Sequence, residues 1–407
     1  MGLIVQKYGG TSVAGAERIK SVAKRIARSR GESNRVVAVV SAMGDKTDDL
    51  IALAHQIASE PDDREMDLLL STGEIESCAL VTMALHAIGE PAIALTGAQA
   101  GIKTERAHRR AQIRSIDPYR INRELDRGRI VVIAGFQGIT DDMDVTTMGR
   151  GASDLTAVAL AAAMKADLCE LYKDVDGIMT ADPNLVSNAR LLEEIDYEEM
   201  LELAQQGARV LAPRAVELAA VFHVPLVVRS SFNENPGTLI HEGVKMELRN
   251  KVRGIAHDSD VAKVTIQGVE DRPGISAALF EPLADAGISV DVIVQNASSQ
   301  NVTDLSFTVG KGDLARTVRL VESLAERIGA ARVSASEGWA KVSIVGTGMQ
   351  HSPGYAARMF RALADKQINI EMITTSEIRI TCIIDSARTA DAVRALHETF
   401  RLDKAEL

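Results

Sequence analysis

Aromatic residues are scarce, at 3% of 407 positions with a single tryptophan. With hydrophobic residues still at 46%, any core must be built from Val, Ile, Leu, Met and Ala. Cysteine is scarcer, at three residues (Cys78, Cys169, Cys382). They lie far apart with no metal-ligand spacing, so they read as reduced, packed thiols of a cytoplasmic protein. Basic charge is not in excess: the formal net charge is −10. That argues against nucleic acid as the main partner, because phosphate backbones need a basic face. A small anion held by a few local Lys and Arg residues stays compatible. No apolar run approaches the roughly 20 residues that cross a membrane. The opening MGLIVQKYGG is not read as a signal peptide, since its short apolar run ends at a glycine pair.

What is present implies two or three domains, given the length. Residues 3–7, 35–41, 92–96 and 129–136 are short Val/Ile-rich runs bounded by Gly, Ser or Thr, as buried strands are. Between them, 16–30 places Ile19, Val22, Ala23 and Ile26 on one helical face, and 66–88 is longer and more apolar. A helix over 152–165 and strands over 167–172 and 225–230 continue the alternation. This predicts an α/β unit over 1–245, a mostly parallel sheet sandwiched by helices. A charged stretch, 242–251, reads as a linker.

Beyond it the chain repeats itself. Ala262-Lys-Val-Thr-Ile-Gln-Gly268 matches Ala340-Lys-Val-Ser-Ile-Val-Gly346, and Pro273-Gly274 matches Pro353-Gly354. Phe280, Leu283, Ala284 and Asp285 match Phe360, Leu363, Ala364 and Asp365. Each copy reads strand, Pro-Gly turn, helix, strand, strand, helix, over 262–336 and 338–407. The second lacks a good closing strand, so a segment within 249–258 is expected to supply one.

Four clusters carry chemistry. Lys7-Tyr-Gly-Gly-Thr-Ser12 ends the first strand, where ligands of open α/β sheets bind. Gly9 and Gly10 let the backbone approach a phosphate, and Lys7 adds a positive charge. As a tight turn with a surface lysine the motif is equally intelligible. It fits neither the P-loop nor the dinucleotide-binding glycine pattern. Gly149-Arg-Gly-Ala-Ser-Asp154 is a glycine-rich loop opening an apolar helix, where Arg150 can bind a carboxylate through paired hydrogen bonds. Helix capping is the plainer role for Ser153. Lys173-Asp-Val-Asp-Gly177 with Thr180-Ala-Asp-Pro183 reads as a polar loop or a nucleotide lid. Glu74, in Ser71-Thr-Gly-Glu74, is either a first-turn helix acid or a partner for an ammonium group.

In this order the clusters resemble the aspartate kinase family, over nearly the whole chain. Val40-Ser-Ala-Met-Gly44, Gly135-Phe-Gln-Gly138, Val228-Arg-Ser-Ser-Phe-Asn233 and Asn235-Pro-Gly-Thr-Leu239 share the resemblance. It implies an amino-acid-kinase fold followed by two ferredoxin-like βαββαβ ACT domains. It also implies transfer of the ATP γ-phosphate to the β-carboxylate of L-aspartate, with Mg2+ carried by the nucleotide and no protein metal ligand. On that basis Lys7 and Asp154 are catalytic. Ser41, Thr47, Glu74, Arg150, Gly151 and Ser153 bind substrate. Lys7, Gly9, Gly10, Lys173, Asp174, Met179, Asp182, Arg209 and Val210 bind nucleotide. Ala152, Met179 and Asn184 stand where the family usually has Gly, Tyr and Arg.

The ACT resemblance implies binding of end-product amino acids, lysine and/or threonine. Contacts in the first copy are Asp271, Gly274, Ile275, Ser276, Ser289, Val290, Asp291, Gln295 and Asn296. Those in the second are Pro353, Gly354, Asn369, Ile370, Ser376 and Glu377. Asp291 and Glu371, at matching positions, are expected to hold the ammonium group. Pairing of ACT domains between chains implies a homo-oligomer or an αβ assembly. The alternatives are an amino-acid-binding regulator with a silent kinase domain, or a related kinase acting on glutamate.

Overall fold

Continuous Val/Ile runs form strands buried on both faces, which is the environment of a parallel sheet. The computed structural model describes residues 2–32, 34–149, 151–243, 251–295, 302–325, 327–349 and 352–404. The chain divides into two units. The first comprises Met1–Met179, Leu191–Ala204 and Arg209–Lys245; the second comprises Thr180–Arg190, Gln205–Ala208 and Met246–Leu407.

The first unit runs β1 (Leu3–Tyr8), α1 (Ala16–Gly31), β2 (Arg35–Val40), α2 (Lys46–Ile57), α3 (Asp63–Ala87), β3 (Ala92–Leu95), β4 (Ile102–Thr104), β5 (Ile113–Ile116), α4 (Tyr119–Asp126), β6 (Ile130–Ala134), β7 (Gln137–Ile139), β8 (Val145–Thr147), α5 (Ala152–Met164), β9 (Leu168–Lys173), β10 (Glu194–Ile195), α6 (Tyr197–Gln205), α7 (Pro213–Phe222), β11 (Leu226–Ser230) and β12 (Thr238–Ile240). Eight strands form one sheet in the order β10-β12-β11-β9-β1-β2-β6-β3. Every pair is parallel except β11 with β12.

Side chains alternate across each strand. Tyr8, Ala38 and Val132 therefore share a core with Ile19 and Val22 of α1 and Val81 of α3, and Lys7 emerges on the opposite face, toward α5. Every residue of α5 from Ala152 to Ala161 is buried, as an all-round apolar helix requires.

Two features differ from expectation. A small sheet, in the order β5-β4-β7-β8, was not legible, because strands of three or four residues show no periodicity. And α3, continuous over 25 residues, is long and apolar enough by length and composition to cross a membrane. Its Ser, Thr and Gly residues broke the run to the eye without breaking the helix. With Asp67 and Glu74 on its buried face and its packing on α1 and β6, it is a core helix.

In the second unit come β13 (Gly254–Glu270), α8 (Ile275–Asp285), β14 (Val290–Gln295), β15 (Val302–Val309), α9 (Leu314–Ala325), β16 (Arg332–Val345), α10 (Tyr355–Asp365), β17 (Met372–Thr375), β18 (Arg379–Asp385) and α11 (Thr389–Thr399). They form an antiparallel sheet in the order β14-β15-β13-β16-β18-β17. The long strands serve both repeats: Gly254 to Asp258 pair with Val345 to Lys341, whereas Lys263 to Gln267 pair with Ser336 to Arg332. The residues before the first repeat thus extend the sheet of the second. Most of the linker stretch, 244–250, lies outside the described residues.

Residues 180–190 are built into this unit. Ala181 and Val186 belong to the core of the second repeat with Ile255, Met359 and Leu396. Thr180 Oγ1 lies 3.0 Å from His397 Nε2, and Ile255 N–H donates to Thr180 O at 2.8 Å.

Candidate active site

β1 ends at a sharp turn that Gly10 makes possible. Gly10 packs so closely on the 41–44 turn that a Cβ would stand 2.8 Å from Ala42 O and 3.1 Å from Gly44 O. Real Cβ contacts stay outside that distance, so the two loops fit only with glycine. Gly44 N–H donates to Gly10 O (3.0 Å), and Ser41 N–H to Tyr8 O (3.1 Å).

Beneath this turn, Lys7 Nζ meets Asp154 Oδ1 at 2.7 Å. Lys173, at the end of β9 next to β1, meets the other oxygen at 2.6 Å. One buried carboxylate therefore bridges two lysines from adjacent strands. Burial pushes the Asp154 carboxyl up, but the charges of Lys173 and Lys7 overcome it and hold it at about 2. Burial, the largest influence on Lys7, lowers its pKa; Asp154 opposes this and Lys173 reinforces it. The arrangement is a preorganised positive site whose lysines are fixed by a shared anion.

Glu74, on α3, is also buried. Its Oε1 accepts from Ala42 N–H at 3.2 Å, and its Oε2 is buried with no hydrogen-bond partner among the described residues. Desolvation raises its pKa to about 7, against the lowering effect of the Ala42 N–H. An unpartnered carboxylate oxygen in a dry site is built to receive a cation. Ala42 links this residue to the Gly10 turn, so the lysine site and Glu74 share one scaffold.

The remaining expected residues fall as follows. Gly151 is the N-cap of α5, in the left-handed region at φ 79°; Ser153 lies inside the first turn and is not the cap. Arg150 lies outside the described residues. Ser41 is half-buried and Thr47 lies in the first turn of α2. Asp174 is exposed beside Lys173, and Met179 bridges to Leu191. Arg209 (exposed) and Val210 precede α7. Asp182 belongs to the second unit, where its carboxylate accepts from Asn184 N–H (2.8 Å) and Asn184 Nδ2 (3.0 Å). A turn acid used this way is an ordinary local cap.

Sequence reasoning placed Lys173 at the nucleotide and missed its bond to Asp154, because 19 residues separate the pair. It also missed Ala42, whose contribution is a backbone N–H with no side-chain signature.

In the second unit, Gly274 (φ 92°) and Gly354 (φ 101°) are the N-caps of α8 and α10. Ile275 is buried, Ser276 Oγ donates to Gln295 at 3.1 Å, and Asp271, Ser289, Asn369, Ser376 and Glu377 are exposed. Val290 and Ile370 are half-buried, and Pro353 is exposed. Asn296 lies outside the described residues. The acids expected to hold an ammonium group already have cationic partners, and these are crossed between repeats. Asp291 pairs with Lys341 and Glu371 with Lys263, although each lysine occupies the same place in its own repeat.

Residues 2–230 match the amino acid kinase family model. Residues 264–324 and 342–400 match an ACT domain model. The aspartokinase of Geobacillus stearothermophilus is 51% identical over 402 residues, 99% of this chain and 98% of that protein. That of Pseudomonas aeruginosa is 48% identical over 405 residues, covering 99% and 98%. Among solved structures, E. coli aspartokinase III in complex with aspartate and ADP has a TM-score of 0.85 at 26% identity, covering 98% of this chain and 99% of that one. The same enzyme with lysine and aspartate has a TM-score of 0.76 at the same identity and coverage. Sequence, fold and the buried lysine–aspartate centre agree that this chain belongs to the aspartokinases, with an amino acid kinase region followed by two ACT domains.

Proposed function

We propose that Lys7, Lys173 and Asp154 form the phosphoryl-transfer centre of this chain, and that Glu74 and Arg150 hold the amino acid. The chain is an ATP-dependent aspartate kinase that makes 4-phospho-L-aspartate, the first step toward lysine, threonine and methionine. The observation that carries the site assignment is the single buried carboxylate of Asp154 between two lysine ammonium groups.

The attacking group is the substrate's own β-carboxylate, ionised at neutral pH, so no general base is needed. What remains is positioning and charge stabilisation. Lys7 and Lys173 present positive charge where the phosphoryl group transfers, and Asp154 keeps both oriented without competing for the proton. Gly9, beside Lys7 Nζ, leaves backbone room for phosphates, while Gly10 lets the turn pack on residues 41–44. Glu74 Oε2 takes the α-ammonium, and Arg150 takes a carboxylate. Mg2+ carried by the nucleotide supplies further charge neutralisation. Met179, Arg209 and Val210 line the nucleotide side.

Because the related E. coli enzyme is solved with lysine, lysine is the first effector to test, with threonine beside it, at the Pro-Gly caps of α8 and α10. We place the protein in the cytoplasm, as an oligomer formed through its ACT domains; its three buried thiols are unpaired, in keeping with a reducing compartment.

The test is ATP-dependent acyl-phosphate formation, trapped with hydroxylamine, on aspartate and on glutamate, alone and with lysine, threonine or both. Product from aspartate, suppressed by one or both effectors, is expected. Product from glutamate alone would refute the substrate assignment.

A further inference from the structure

β11 stops at Ser230, and Ser231 follows it in the motif Val228-Arg-Ser-Ser-Phe-Asn233. Lys173 is the last residue of β9 and lies opposite Ser230 on the neighbouring strand. Ser231 turns back on Lys173 with both of its donors. Its N–H donates to Lys173 O at 2.8 Å, and its Oγ donates to the same oxygen at 2.9 Å. The Lys173 carbonyl thus accepts twice from one residue, at the point where the chain leaves the sheet for exposed Asp174.

The Ser231 hydroxyl also accepts: Ser12 Oγ donates to it at 2.9 Å. Ser12 is buried in the short helical turn Gly10–Val13, and its N–H donates to Gly9 O at 2.9 Å. A Cβ at Gly9 would lie 3.5 Å from Lys7 Nζ and 4.0 Å from Ser12 Oγ, so the hydroxyl and the lysine ammonium flank the same glycine. Gly9 N–H adds a second tie, to Tyr172 O at 3.3 Å. The relay from Ser12 through Ser231 to Lys173 O therefore joins the glycine turn after β1 to the end of β9. Arg25 of α1 steadies the Ser231 segment, donating to Asn233 O at 2.9 Å with its guanidinium 5.0 Å from the centre of the Tyr172 ring.

We propose that Ser231 is a positioning residue for phosphoryl transfer: its hydroxyl, bridging Ser12 and the Lys173 carbonyl, sets the end of β9 against the glycine turn and thereby aims Lys173. The inference rests on the reading that Lys173, with Lys7 and Asp154, forms the phosphoryl-transfer centre. Asp154 holds the ammonium end of Lys173 and Ser231 holds its backbone end, so the side chain is pinned at both extremities. A lysine side chain has high rotamer entropy, and fixing its charge in advance is what electrostatic preorganisation requires.

The test measures kcat and both KM values in the full-length enzyme. Ser231→Ala keeps the backbone N–H, removes the hydroxyl and lowers kcat about fivefold, the scale of one lost hydrogen bond. The KM values for aspartate and ATP stay within about twofold. Ser12→Ala gives the same loss, and the double variant is no worse than either single one, where independent effects would multiply to about 25-fold. In a Lys173→Met background, Ser231→Ala changes kcat by less than about twofold, because the side chain it aims is gone. A mere loss of folded enzyme would lower kcat equally in both backgrounds. Unchanged kcat in either serine variant, multiplying effects in the double variant, or the same loss in the absence of Lys173 overturns the inference. Lys173→Met alone is the control. Near-normal kcat in it defeats the reading of the centre and this inference together. A large kcat loss in Lys173→Met with none in Ser231→Ala defeats the inference alone.

Discussion

Glu74 shows how far position changes a residue's chemistry. In water its carboxyl ionises near 4.5, and in this site near 7. Between those values the folded protein binds a proton that the unfolded chain has released, so this group makes stability fall as pH rises from about 4.5 to 7. Binding an ammonium group favours the ionised form. The KM for aspartate should therefore rise as pH drops from 7 toward 5.5, and Glu74→Gln should raise that KM while flattening its pH dependence. Initial rates across this range check it; a slope that persists in Glu74→Gln rules out the role. Lys7 is tested by turnover. Its loss leaves Asp154 with Lys173 alone and removes one charge-stabilising donor, so Lys7→Ala should lower kcat by about 10²–10³-fold. Near-normal kcat in that variant would contradict the assignment. Lys7 and Glu74 stood out in the sequence because each sits in a glycine-containing motif. Asp67 did not, because a helix acid is usually solvated and only packing shows that this one is dry.

At the scale of elements, the site is a junction of β1, β9, α3 and α5, and the turn at Gly10 has no room for an added Cβ. Gly→Ala commonly stabilises by restricting the unfolded chain, by about 0.4–1 kcal/mol. At Gly10 the clash with Ala42 O reverses the sign, since only backbone is there to yield. Gly10→Ala should destabilise by about 1–3 kcal/mol, the range for overpacking, and should disturb the Ala42 N–H that holds Glu74. Denaturant melts and aspartate kinetics measure the two effects; a variant as stable and active as the parent would show the turn to be pliant. The βα alternation was legible because buried parallel strands demand unbroken apolar runs. The β4, β5, β7 and β8 sheet was not, because its strands are too short to carry a period. The repeats announced themselves by matched residues, yet their lysine–acid pairs run between copies, which no comparison within one copy reveals.

For the whole molecule, chain order and spatial grouping part company at residues 180–190. Thr180-Ala-Asp-Pro183 follows the nucleotide-side motif directly, and its sequence reads as the same lid. In space Ala181 and Val186 lie in the core of the second repeat, and Arg394 holds Leu185 O at 3.1 Å. A charge placed there lacks a partner in an apolar core, so Val186→Asp should destabilise that unit by roughly 3–5 kcal/mol. Differential scanning calorimetry should show its transition shifted down; an unchanged profile would mean the segment is only loosely seated.

The sequence by itself determined the parallel α/β unit, the duplicated ACT pattern, the family and the motifs that bear charge, since all of these rest on local periodicity or on residues close in the chain. Tertiary structure decided that Asp154 serves two lysines, that Glu74 keeps one oxygen buried with no hydrogen-bond partner among the described residues, that Asp67 is buried among donors from residues 108, 109 and 147, and that residues 180–190 belong to the second unit. Each of those depends on groups far apart in sequence meeting where water is excluded, and burial, which sets the strength of every charge involved, is a property of the packed chain.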